Sequence, residues 1–131
     1  MKKILMAAVA TVALGVGAAQ ADPVHGTWQT VKDDNGNYGH IDVKDCGSTI
    51  CGTLVKSFDN SGAEFKSENQ GRKIIWNMKS NGGGAYSGGK VYSPDRDKTY
   101  SSKMTLKGNN LNIKGCVLVI CRDGGTWKRV N

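Results

Sequence analysis

The sequence predicts an all-β protein, a small antiparallel up-and-down barrel of eight strands. Three observations lead there. After Ala21 no long stretch repeats its apolar residues at the helical period, whereas alternation over five to eight residues recurs. Clusters of Asn, Asp and Gly, which tolerate positive φ or bond their own backbone, punctuate the alternating runs. The tripeptide Gly-Thr-Trp opens the first run, GTWQTV, and returns in the last, GTWKRV.

The chain begins with Lys2 and Lys3, an apolar run from Ile4 to Ala18, and the small-x-small triplet Ala19-Gln20-Ala21. This is the pattern of an export signal, and its apolar run is shorter than the roughly 20 residues of a spanning helix. Residues 1–21 are therefore expected to be removed, leaving 22–131 as a single β-barrel domain in the bacterial periplasm. The expected strands run over 26–31, 38–45, 50–58, 73–78, 83–92, 99–107, 110–117 and 125–130. Turn signals separate them: DDNGN at 33–37, DNSG at 59–62, NGGG at 81–84, PDRD at 94–97 and GNN at 108–110. Only Gly62 to Arg72 makes a long connection, read as a loop with a short helical turn.

Such a set of strands forms either a two-sheet sandwich or a closed barrel. Consecutive hairpins without a long crossover favour the up-and-down barrel. Closure pairs the first strand with the last and removes both edges. If Trp28 and Trp127 point inward, Arg129 does too, beside the Trp28 ring, where a cation–π contact contributes about 0.5–2 kcal/mol. Trp28 and Arg129 are thus the expected closing pair.

Lys and Arg number 18 against 11 Asp and Glu, a net charge of +7, which falls to +5 without Lys2 and Lys3. This balance favours an anionic envelope component as a neighbour. Export argues against nucleic acid. On the clearest strand the outward positions are Thr99, Ser101, Lys103, Thr105 and Lys107, so the exterior faces water and the barrel is not membrane-spanning.

All four cysteines lie in the exported part, where disulfides are the default. Three connectivities are open. Cys46–Cys51 and Cys116–Cys121 are favoured, because each pair straddles a tight turn; loops this short place each bridge at the low end of about 2–4 kcal/mol. Two C-x4-C spacings do not fit a zinc knuckle, and no metal site is expected.

The chemistry-bearing residues form no recognisable catalytic constellation, so no enzyme and no cofactor is expected. His25 and His40 read as solvated, outside any metal-ligand spacing. No nucleophile elbow, Walker loop or dinucleotide fingerprint occurs. Asp59, Asp95 and Asp97 lack the calcium-loop pattern and read as turn formers. Lys90, Tyr92, Asp97 and Tyr100 are the one polar group an enzyme would draw on, and they read as cross-strand packing.

Alternation places Ile41, Val43, Leu54, Ile74, Leu106, Leu111 and Ile113 inside, together with Trp28, Trp76, Met78, Tyr100, Met104 and Trp127. The last six are the candidate ligand-binding residues, an adaptable aromatic and thioether lining for a small apolar or amphipathic guest. A core filled by its own side chains is the equal alternative. The other functional reading is an exported interaction or inhibitor module that meets a protein partner through loops 59–72 and 93–98.

Gly-x-Trp at the start of the first strand and Arg at the end of the last resemble the closing signature of lipocalins and their calycin relatives. GGKVYSPDRDKTYSSKMTLKGNNLNIKGCVLVIC followed by GTWKRV resembles the bacterial domain of unknown function 2147 family, most strongly from Gly88 to Val130. That resemblance implies export and a lipocalin-like fold, with no settled activity. The approach to the fourth strand, NQGRKII at 69–75, departs from the Arg- and Pro-rich stretch expected there.

Overall fold

The computed structural model describes residues 21–131, so the expected export signal lies outside the described residues apart from Ala21. Nine strands follow: β1 (Gly26–Gln29), β2 (Tyr38–Cys46), β3 (Thr49–Phe58), β4 (Glu64–Phe65), β5 (Lys73–Gly82), β6 (Ala85–Ser93), β7 (Lys98–Lys107), β8 (Asn110–Val117) and β9 (Ile120–Arg129). Eight of them, all but β4, form a closed antiparallel barrel, with β2 hydrogen-bonded to both β1 and β3 and β1 to β9. No helix occurs among the described residues.

The ninth strand replaces the helical turn expected in 62–72. The last pair between β3 and β5 is Thr53 with Lys73, which leaves the end of β3 without a neighbour on that side. Glu64 and Phe65 fill the gap, opposite Phe58 and Ser57. An unpaired edge has been covered by the chain that returns past it.

The seam is short. Trp28 lies opposite Arg129 and Gln29 opposite Lys128, and Thr27 adds bonds from its N–H to the Asn131 carbonyl (2.9 Å) and to its own carbonyl from the Val130 N–H (2.8 Å). The Arg129 guanidinium sits 4.3 Å from the Trp28 ring centroid. It donates to the carbonyls of His25 (2.9 Å) and Pro23 (2.6 Å), while its Nε donates to Asn109 Oδ1 (3.1 Å). The Trp28 indole donates to the Val24 carbonyl at 2.8 Å. Residues 22–25 are thereby folded across this end, with Val24 and Trp28 fully buried. Tyr86 completes the closure by donating its hydroxyl to the Asp22 carboxylate.

Two strands are longer than the turn signals implied. β5 continues to Gly82, and β9 starts at Ile120, well before Gly125. In β9 the stretch Arg122-Asp123-Gly124-Gly125 forms an irregularity within the strand. The register shifts between Asn112 and Lys114, Gly125 takes φ +103°, and Asp123 accepts the Gly125 N–H at 2.9 Å. Turn-forming residues here build a bulge.

The interior is packed. Trp28, Ile41, Val43, Ile50, Ile75, Met78, Tyr86, Met104, Leu111, Ile113 and Trp127 belong to one buried cluster. Glycines admit the larger side chains: a β-carbon at position 89 would lie 2.7 Å from the Met78 sulfur, and one at 52 would lie 2.7 Å from Ile41 Cγ2. Both disulfides join the favoured partners, Cys46 with Cys51 and Cys116 with Cys121.

Candidate functional site

One expectation about β5 fails for a local reason. Strict alternation puts Ile74, Trp76 and Met78 on one face. Against β3, the register shifts between Ile50 and Gly52 and again between Gly52 and Thr53, so β5 carries extra residues. Ile74, Ile75 and Met78 are all buried, Asn77 takes the left-handed conformation (φ +59°), and Trp76 is only half-buried. Trp76, expected in the barrel interior, instead borders an open groove of about 530 Å³ shared with Cys46, Thr49, Arg72, Lys73 and Asn77.

The groove is held from both sides. The β2–β3 turn brings Cys46 and Thr49, with the Thr49 hydroxyl donating to the Cys46 carbonyl at 3.3 Å. Opposite, the 69–72 turn is pinned by bonds from Gly71 N–H to the Leu54 carbonyl (2.8 Å), from Leu54 N–H to the Arg72 carbonyl (2.9 Å) and from Arg72 N–H to the Asn69 carbonyl (3.0 Å). The Arg72 guanidinium stacks 3.5 Å over the Tyr92 ring centroid. Tyr92 in turn donates to Asp97 at 2.7 Å, and this bond, with burial, raises its phenol above the ordinary range. Tyr92, held in place by its bond to Asp97, is the face against which Arg72 stacks. The groove is thus lined by one aromatic residue, Trp76, and two cationic ones, Arg72 and Lys73.

The other candidate ligand residues are placed differently. Trp28, Met78, Met104 and Trp127 lie within the packed core, and Tyr100 is half-buried, with its ring 3.5 Å from where a β-carbon on Gly115 would sit. Of the polar group an enzyme would draw on, only Tyr92 and Asp97 bond each other; Lys90 donates instead to Ser101 at 3.3 Å. Asp59 accepts from the Ser61 hydroxyl and from the Ser61 and Ala63 N–H groups, which holds its carboxyl below the ordinary range. Asp95 accepts from Ser93 at 2.6 Å. Among the described residues no three His, Cys, Asp or Glu side chains converge as a metal site.

The histidines are not free in solvent. His25 Nε2 lies 2.9 Å from Asp45, and His40 Nε2 lies 3.2 Å from Gln29 with its ring tilted against Phe58. Burial, and then Lys56, lower the His40 pKa.

Residues 26–129 match the profile of an uncharacterized protein conserved in bacteria, the domain of unknown function 2147. The chain belongs to this family. Its barrel is similar to a solved structure described as "Protein HP1028 from the human pathogen Helicobacter pylori belongs to the lipocalin family", with a TM-score of 0.65 and 18% identity over 82% of this chain and 83% of that one. At that identity the likeness concerns the fold, which is lipocalin-like. No curated protein matches the chain. Sequence reasoning missed Arg72 as a site residue; the signal available was the Gly71-Arg72-Lys73 run that leads into the strand carrying Trp76.

Proposed function

We propose that this family member is a non-enzymatic protein of the bacterial periplasm that binds a small amphipathic anion. The observation that carries the reading is the groove in which Trp76 meets Arg72 and Lys73. An acyl chain or aromatic body would lie on the indole, and its carboxylate or sulfonate would meet the two cations. The lipocalin-like barrel supports a binding role. A packed interior favours the groove over the barrel lumen, because a guest inside would have to displace Met78 from its place over Gly89.

Titration with laurate, read by tryptophan fluorescence, tests this, with dodecanol as the uncharged control. Laurate is expected to saturate the signal and dodecanol to bind more weakly. Replacing Arg72 and Lys73 together by Gln should weaken laurate about tenfold or more, the scale of one charge-assisted hydrogen bond, and leave dodecanol unchanged. Laurate binding that is indifferent to Trp76→Ala would remove the groove from the account.

A further inference from the structure

We infer that the tip of the β8–β9 hairpin is a membrane-docking element that inserts Leu118 and Val119 into an anionic lipid surface. The tip is Val117-Leu118-Val119-Ile120, and these four consecutive apolar residues are 61, 93, 94 and 66% exposed. Natural barrels place Gly, Asn or Asp in such turns, and scattered surface apolar residues are common, but an unbroken exposed run at a protruding tip is not.

The backbone strengthens the point. Val117 pairs with Ile120, so Leu118 and Val119 alone make the turn, and Leu118 takes φ +56°. A leucine in the left-handed region is strained, and this one buries almost none of its side chain in return. The Cys116–Cys121 bridge lies directly below and holds the turn rigid.

Charge selects the partner. Lys90 and Lys103 line one groove of about 360 Å³ together with Leu118 and Val119. Lys114 lies directly opposite Lys103, a like-charge cross-strand pair that costs stability by itself. Arg122 follows two residues after the tip. Asp123, opposite Lys114, offsets part of this collar. None of the four cations forms an ion pair within 4.0 Å among the described residues. Lys114 stands three residues before Val117, about 10 Å at the rise of an antiparallel strand. With the tip in the acyl region, the collar reaches the headgroups, the depth at which interfacial elements sit. A convex two-residue tip needs no matching pocket in lipid, whereas a protein partner would have to supply one.

Sedimentation with unilamellar vesicles of phosphatidylcholine, alone or mixed with phosphatidylglycerol, tests the inference on residues 22–131. The protein is expected to partition onto the mixed vesicles, less onto phosphatidylcholine, and to be released by salt. Leu118→Gly suits the φ of its position, so the fold is retained; it should lower partitioning about tenfold or more. Lys103→Gln with Lys114→Gln should reduce the preference for phosphatidylglycerol, by about fivefold per charge, with Lys90 and Arg122 retaining the remainder. A Val119→Trp probe should shift its emission to the blue on the mixed vesicles. Absence of partitioning by the unsubstituted protein, or equal partitioning by Leu118→Gly, overturns the inference. A concentration-dependent dimer in the ultracentrifuge, abolished by Leu118→Gly without any vesicle binding, overturns it in favour of a second copy. Laurate binding at Trp76 is a separate readout and should not respond to these substitutions.

Discussion

Two hairpins of this barrel carry the same C-x4-C spacing and cross from strand to strand by a two-residue turn, yet they are built for different surroundings. In CGSTIC the turn is Gly47-Ser48, Gly47 takes φ +66°, and the apolar residue that follows, Ile50, is buried. In CVLVIC the turn is Leu118-Val119, leucine takes nearly the same φ, and all four apolar residues face outward. The first turn uses the residue its backbone prefers and turns its apolar neighbour into the core. The second pays for its conformation and hides nothing. The hairpins also mark opposite ends of the barrel. Beside the first, the chain 22–25 and Arg129 seal the end over Trp28. At the other end nothing among the described residues covers the β8–β9 tip, where Leu118 and Val119 remain exposed. Apolar side chains are buried at the sealed end and displayed at the β8–β9 tip.

The largest effect should come from the sealed end. Trp28→Ala should lower unfolding free energy by about 3–5 kcal/mol, because a fully buried indole is lost along with its bond to Val24. Arg129→Ala should cost less, about 1.5–3 kcal/mol, the worth of hydrogen bonds from a charged donor. Leu118→Ala at the open end should stay within about 0.5 kcal/mol, as expected of a solvent-exposed side chain. Urea denaturation of the three variants ranks the ends; equal losses would erase the contrast.

Exchanging the turn residues sharpens it. Gly47→Leu should destabilise by about 1–2 kcal/mol, since leucine must then adopt a left-handed backbone. Leu118→Gly removes that strain and should raise stability by up to about 1 kcal/mol, partly offset by the greater freedom of glycine in the unfolded chain. Thermal denaturation checks the signs, and a loss from Leu118→Gly would show that the leucine helps the fold.

The smallest effect is electrostatic and lies at the base of the second hairpin. Asp123 accepts from the Gly125 N–H and from Asn112, which keeps its carboxyl below the ordinary range, with Lys114 assisting. A depressed folded-state pKa means that this stabilisation is complete above the unfolded value near 4 and is lost as pH falls through the folded one. Carboxyl titration by NMR should find Asp123 below the model-peptide value, and Asp123→Asn should remove the step. A normal titration would mean that the β9 bulge does not depend on this carboxylate.

Much of the barrel was legible because its signals are local. Period-two alternation marks strands wherever one face is buried, and Gly-Thr-Trp with Arg129 pointed to the seam because alternation puts Arg129 on the face of Trp127, beside Trp28. The Cys pairs were legible for a similar reason, each closing across a tight turn. Less could be read where partners decide. Arg122 to Gly125 has the composition of a turn, and only the pairing with β8 makes it a bulge inside β9. Gly62 to Arg72 contains no strand pattern; β4 forms because β5 stops short of Phe58.

The candidate site shows the same division. By itself the sequence determined that this chain alternates, closes on Trp28 and Arg129, and holds its cysteines in two short loops, since each of these depends on neighbours along the chain or on the need to bury a face. Tertiary structure decided that Trp76 is only partly buried, packing on the edge of the core while bordering a groove with Arg72 and Lys73, and that Ile75 is fully buried. Alternation identifies a face only until a residue is inserted, and whether one is inserted depends on the register of the strand alongside.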